Sequence, residues 1–447
     1  MKIKSIISVV LLSSLCTLSV SAQTILDIDG EEATSVGIYI KDLATGEVLV
    51  DHNSQLALTP ASVMKAITTA SALSINGEDG RFVTPVTLRG TKGQAGVWNG
   101  DIIVHASADP TLESENFKSN LGFCDSIIAA LKKKNINKIS GTVIVQKSLK
   151  DEGPITQWEI EDIAWPYGAG LFGFNYRDNY VTIYPNRGET KLEVPDFEIC
   201  VEKVDAGNDL VRGVYSNRLM VFTRDPQDKK WAINTSMPDP AAVFVAELKS
   251  RLKESGISVG DNQSSERGEE TTLYRHTSPR YSEIMRSLMV RSDNMFAEGV
   301  LRSIAPNESR KNAIKREKEL WATRGINTRY TIINDGSGLT RANRLSAHFI
   351  GDVLEWMANS DLAKTYTSFF PRAGKDGTMR GFLAKSPLTG ALALKTGSVS
   401  AVQAYAGYKI DAEGMPTHVV VVLVNGFFCP RREVREATEK LLLDIFN

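Results

Sequence analysis

From about residue 81 to residue 184 the chain reads as short alternating strands with Gly-rich turns, whereas the stretches on either side mix strands with long helices. Alternating strands bury one face each, and the pattern suggests an α/β domain interrupted by a β-rich insertion. With 447 residues, 42% of them hydrophobic, the chain can fill more than one core, which sets two or three domains as the expectation. Before the block, residues 36–40 and 47–50 read as paired strands, and Thr59-Pro60-Ala61 opens a helix carrying Val63, Ile67 and Ala70 before Asn76-Gly77 ends it. Inside it, strands are expected at residues 83–89, 100–105, 139–146 and 179–184, with a helix over 123–133. After it come a helix over 241–254, helical texture over 281–321 and 345–359, strands over 402–410 and 418–424, and a last helix whose Val434, Ala437, Leu441 and Ile445 share a face.

Charge and targeting signals narrow the function classes. Lys plus Arg number 52 against 53 Asp plus Glu, and the densest basic run, Lys132-Lys133-Lys134, reads as a solvated helix end, so nucleic acid and anionic membrane surfaces are not expected partners. Lys2 and Lys4, the apolar run over residues 6–18, and Val20-Ser21-Ala22 form a secretory signal with cleavage expected after Ala22. No second apolar run is long enough for a membrane span, so the product is expected in the periplasm or another exported cell-envelope space. Cys124, Cys200 and Cys429 remain after cleavage; an odd count permits at most one disulfide, and the reading is mostly buried small hydrophobes. No metal-ligand spacing such as H-E-x-x-H occurs, so neither metal nor cofactor is expected. Nothing in the sequence sets an oligomeric state.

Three short motifs carry chemistry. Ser62-Val63-Met64-Lys65 starts a helix, and a spacing of three puts serine and lysine on one face. A serine becomes a useful nucleophile once a base takes its proton, and a lysine serves as that base when burial or a second cation lowers its pKa. An S-x-x-K is weak alone: roughly two are expected by chance in a chain this long, and the second, Ser250 to Lys253, lies on the polar side of an amphipathic helix. Ser292-Asp293-Asn294 is an S-x-N, and Lys395-Thr396-Gly397 occurs once, just before residues 398–407, whose alternation predicts a strand. The ordered triple S-x-x-K, S-D-N, K-T-G is the signature of penicillin-binding proteins and class A β-lactamases.

The mature chain resembles the class C low-molecular-mass penicillin-binding proteins, the D-alanyl-D-alanine carboxypeptidase/endopeptidases. Beyond the triple, the resemblance rests on Asp109-Pro110-Thr111-Leu112, Ala297-Glu298, Asp335-Gly336-Ser337-Gly338-Leu339 with Arg341 and Asn343, and Gly374-Lys375-Asp376-Gly377-Thr378-Met379-Arg380. The 226 residues between Lys65 and Ser292 far exceed what a compact β-lactamase carries there. The resemblance implies an α/β (α+β) fold: a transpeptidase-like domain with an antiparallel sheet flanked by helices (residues 23–83 and 275–447). It is interrupted by an inserted β-rich domain (84–166 and 238–274) that itself contains a second one (167–237).

It further implies that Ser62 attacks the bond between terminal D-alanines of a peptidoglycan stem peptide, or the equivalent cross-link, and is acylated by β-lactam antibiotics as covalent inhibitors. Lys65 would be the general base, its pKa depressed partly by Lys395. Ser292 would relay a proton, Asn294 would hold Lys65 and the substrate amide, and Thr396, Gly397 and Ser398 would bind substrate. Asp162 is the candidate for recognising a free amino group on the stem peptide, with Trp158 packing beside it. Two alternatives remain: a serine β-lactamase, although the Glu-x-x-Leu-Asn pattern of class A enzymes is absent after Ser292, and a non-catalytic cell-wall-binding homologue, which a lost motif would have indicated.

Overall fold

The computed structural model describes residues 25–446 apart from Ser148, Lys229, Glu266 and Arg267. The expected signal segment, residues 1–22, lies outside the described residues.

Five antiparallel strands form the first sheet: β1 (Ser35–Asp42), β2 (Val48–His52), β3 (Leu392–Val399), β4 (Val402–Ile410) and β5 (Pro416–Asn425), in the spatial order β3-β4-β5-β1-β2. Strand β5 carries an unbroken apolar run from Val419 to Val424, which is covered on both faces. Val419, Val421 and Leu423 point into one core, and Val420, Val422 and Val424 into another. The first core lies under the helices α1 (Met64–Asn76), α2 (Tyr281–Arg291), α3 (Asn294–Ser303), α4 (Arg310–Thr323) and α5 (Ala347–Ala358). The second lies under α6 (Arg431–Phe446), through Val434, Ala437 and Leu442. The two ends of the chain thus share one sheet, with β3 and β2 as its edge strands.

Residues between α1 and α2 build three further sheets. One has six strands, including Val83–Lys92, Val97–His105 and Glu270–Thr277; two have three strands each, drawn from residues 180–236. They enclose the helices Phe123–Lys133 and Pro240–Glu254 in a separate apolar cluster containing Leu88, Ile102, Ile127, Phe244, Leu248 and Val221.

Several local expectations change. The strand expected over 139–146 is two, Lys138–Ile139 and Val143–Gln146. The buried Asp101 carboxylate takes the Thr142 N–H at 2.9 Å and leaves no room for a side chain at Gly141, so the ladder breaks there. The strand expected over 398–407 is the end of β3, a two-residue turn at Ser400-Ala401, and the start of β4; Ala401 adopts φ 52 without being glycine, so no turn residue announces it. On α6 the buried face runs through Val434, Ala437, Thr438 and Leu442, with Leu441 and Ile445 only half-buried. The three cysteines form no disulfide; Cys124 and Cys429 are buried as expected, but Cys200 is half-exposed beside Arg218 Nε at 3.2 Å.

Candidate active site

Ser62 sits in a tight 3₁₀ turn (Ala61–Val63) that runs directly into α1. Ala61 is held at φ 46, a left-handed conformation that costs a non-glycine residue about 1–2 kcal/mol, and it is fully buried. Two glycines clamp this turn. A Cβ on Gly338 would overlap the Ala61 carbonyl, and one on Gly397 would lie 2.6 Å from Pro60 O and 3.0 Å from Ser62 N. The sequence therefore places glycine where two other segments must touch the backbone of the nucleophile turn.

Lys65, one turn along α1, is completely buried. Its Nζ lies 2.9 Å from Ser62 Oγ, 2.6 Å from Asn294 Oδ1 and 2.6 Å from the Ser337 carbonyl. A neutral amine can donate two hydrogens to Asn294 and Ser337 and keep its lone pair for the Ser62 proton. Burial lowers the Lys65 pKa to about 8, while Asp335, Asp293 and Glu298 pull it upward. Lys395, also fully buried on β3, places Nζ 2.9 Å from Ser292 Oγ and 2.6 Å from the Thr396 carbonyl. Its pKa lies well below the ordinary lysine range, first through burial and then through repulsion from Lys65. Burial is the larger cause for both lysines, and the repulsion between the two amines is mutual.

The S-D-N motif is a hinge between two helices. Ser292 ends α2 at φ 62, Asp293 caps α3 by accepting from Phe296 N, and Asn294 opens α3. Asn294 Nδ2 donates to the Tyr167 carbonyl at 2.9 Å.

A cleft of about 480 Å³ exposes this constellation, lined among others by Ser62, Ser292, Asn294, Thr396, Ser398, Asp162 and Tyr167. Thr396 Oγ1 donates to Thr378 Oγ1 at 2.8 Å. Asp162 accepts from the Tyr167 hydroxyl at 3.0 Å, and burial raises its pKa despite that bond. Gly397, expected among the binding residues, turns its α-carbon toward the Ser62 turn.

Residues 21–442 match the family described as D-Ala-D-Ala carboxypeptidase 3 (S13). The chain belongs to that family. Among S13-type relatives, the D-alanyl-D-alanine carboxypeptidase DacB of Haemophilus influenzae is 27% identical over 96% of this chain and 94% of its own length. A D-alanyl-D-alanine carboxypeptidase of Actinomadura sp. (strain R39) is 26% identical over 87% of this chain and 78% of its own. The crystal structure of penicillin-binding protein 4 (dacB) from Haemophilus influenzae matches with a TM-score of 0.79 at 24% identity, covering 93% of this chain and 97% of that one. The same protein complexed with a novel β-lactam matches at 0.74 and 25%, with the same coverage. The mixed α/β architecture is thus that of the penicillin-binding protein, and membership of the S13 family makes this chain a serine-type D-Ala-D-Ala carboxypeptidase.

Two buried carboxylates outside the three catalytic motifs support the site. Asp335 is buried and accepts from Gly338 N, Thr340 N, Asn343 Nδ2 and Trp158 Nε1 at 2.6–2.9 Å. Trp158 is therefore a packed anchor, as its sequence context suggested. Glu298 accepts from Gly336 N and Ser337 N, and burial together with Asp335 pushes its pKa up to about 7. These two carboxylates fold the 335–340 loop so that the Ser337 carbonyl reaches Lys65. The sequence signal was the D-G-S-G run, which reads as a tight turn; its carboxylate partner, 37 positions away in α3, was not readable.

Proposed function

We propose that Ser62 forms an acyl-enzyme with the penultimate D-alanine of peptidoglycan stem peptides, acting on terminal D-Ala-D-Ala bonds, on D,D cross-links, or on both. The observation that carries this reading is a buried lysine amine, its pKa near 8, 2.9 Å from the serine hydroxyl. Lys65 takes the Ser62 proton as Oγ attacks the carbonyl carbon. The oxyanion meets the backbone N–H groups of Ser62 and Ser398, each such donor typically contributing about 3–4 kcal/mol. The C–N bond breaks as the leaving amine receives a proton through Ser292 Oγ. Water then adds to the ester, giving the acid and restoring the Ser62 hydroxyl. Lys395, Thr396 and Ser398 receive the substrate's terminal carboxylate, and Asp162 receives an amino group of the stem peptide. Among the described residues no His, Cys, Asp and Glu group is arranged to hold a metal.

The signal-like N-terminus supports export to the periplasm, where the substrate lies, and no helix among the described residues is long and apolar enough to cross a membrane. The test is Ser62→Ala, which is expected to abolish both D-alanine release and covalent labelling by penicillin. Retained labelling would overturn the assignment. A long-lived penicillin adduct on the unaltered protein separates this activity from a β-lactamase.

A further inference from the structure

The orientation of Asn294 matters because its amide has two unlike ends. Oδ1 faces Lys65 Nζ at 2.6 Å; turned over, the amide would set its NH₂ against the lysine and remove one of the two acceptors that leave the amine's lone pair free for Ser62. Two contacts fix the side chain in its observed sense, and only one comes from the catalytic lysine. The other is the backbone carbonyl of Tyr167, 2.9 Å from Nδ2 and 127 positions earlier in the chain.

That carbonyl belongs to a stiff turn. Pro166 fixes the backbone at the start of the 3₁₀ turn Pro166–Gly168, and Gly168 N donates to Trp165 O at 2.9 Å. Gly168 passes so close to Asp162 O that no Cβ fits between them. The residues just before the turn are tied to the strand Ile233–Ser236, through Thr235 Oγ1 to Ala164 O at 2.8 Å and Ser236 N to the same carbonyl at 2.9 Å. The turn therefore moves with the strand-rich segment that separates Lys65 from Ser292.

We propose that the Tyr167 carbonyl is a positioning group of the active site, by which the long segment between the first two motifs sets the amide face of Asn294. One Nδ2 hydrogen is engaged by this carbonyl; the other remains for a substrate carbonyl in the cleft. The long segment is then a working part of the acylation machinery as well as a platform for substrate recognition. The proposal rests on the acyl-enzyme reading above.

Gly168→Ala tests it, because the added methyl must displace the turn from Asp162 O and carry the Tyr167 carbonyl with it. The second-order rate of acylation by penicillin is expected to fall about tenfold. KM for a D-Ala-D-Ala peptide is expected to stay within about threefold, so the loss falls on kcat. The acid limb of the acylation profile is expected to move to lower pH, since the held Oδ1 favours the charged form of Lys65. In an Asn294→Ala background the same substitution should change acylation by less than about twofold, because its effect passes through that amide. Should Gly168→Ala not fold, Pro166→Ala, which adds no atoms and frees only the fixed start of the turn, carries the same comparison with a loss of about threefold. A folded variant acylated at the unaltered rate, or one losing the same factor in both backgrounds, overturns the proposal. Labelling that persists in Ser62→Ala would instead overturn the acyl-enzyme reading beneath it.

Discussion

Gly397 is the point at which the edge strand β3 touches the nucleophile turn, and Gly397→Ala measures what that contact does. The new Cβ would stand 2.6 Å from Pro60 O and 3.0 Å from both Ser62 N and Val63 N. Carbon and oxygen need roughly 0.5 Å more than the first of these distances allows. None of the three atoms is the end of a flexible side chain, so the backbone has to move. Pro60 is conformationally restricted, and Ala61 already sits at φ 46, so the turn has little slack of its own. Overpacking of this kind costs about 1–3 kcal/mol of stability. A 1 Å misplacement of a reacting group costs about a hundredfold, so half that shift is worth roughly tenfold in acylation. The assay is stopped-flow or gel-based penicillin acylation beside denaturant unfolding of the same preparation. Unchanged acylation with unchanged stability would refute the clamp. A stability loss without a rate loss would show that the strand, and not the Ser62 turn, gives way.

Three further outcomes follow from the electrostatics. With the Lys65 pKa near 8 and the neutral amine as base, acylation is expected to rise about tenfold per pH unit below that value and to level off above it; a flat profile between pH 6 and 9 would exclude Lys65 as the base. Asp335→Asn sets an NH₂ against donors that now share a carboxylate. It is expected to cost about 3 kcal/mol in denaturant unfolding and to move the acid limb to lower pH, because Asp335 raises the Lys65 pKa; an unshifted limb would refute that coupling. Asp162→Asn is expected to lower kcat/KM about tenfold more on peptides with a free side-chain amine than on their acetylated counterparts. Equal losses on both would show that Asp162 does not read that amine.

The motifs were legible because each packs its chemistry into three or four consecutive residues. Ser62 and Lys65 share a helix face by spacing alone, and the glycine of Lys395-Thr396-Gly397 marked a close approach, although the surface approached is the Ser62 turn. The paired ends of the chain could be inferred from the long intervening segment. What stayed hidden is conformation without composition: Ala61, Ser292 and Ala401 all take positive φ where glycine or asparagine would have been the signal. Contacts far apart in sequence were hidden as well. Nothing near Tyr167 says that its carbonyl meets Asn294, and nothing near Glu298 says that it folds the loop beginning at Asp335.

The two lysines show why residue type alone could not settle the electrostatics. Both are fully buried, yet Asp335, Asp293 and Glu298 act on Lys65, whereas the charge that acts on Lys395 is that of Lys65. The two amines therefore titrate as a coupled pair, in which a proton on either disfavours a proton on the other. A substrate carboxylate received at Thr396 and Ser398, as proposed above, would add a counter-charge beside Lys395 and favour its charged form. A charge held on Lys395 in turn presses on Lys65 and favours the neutral form that a general base needs.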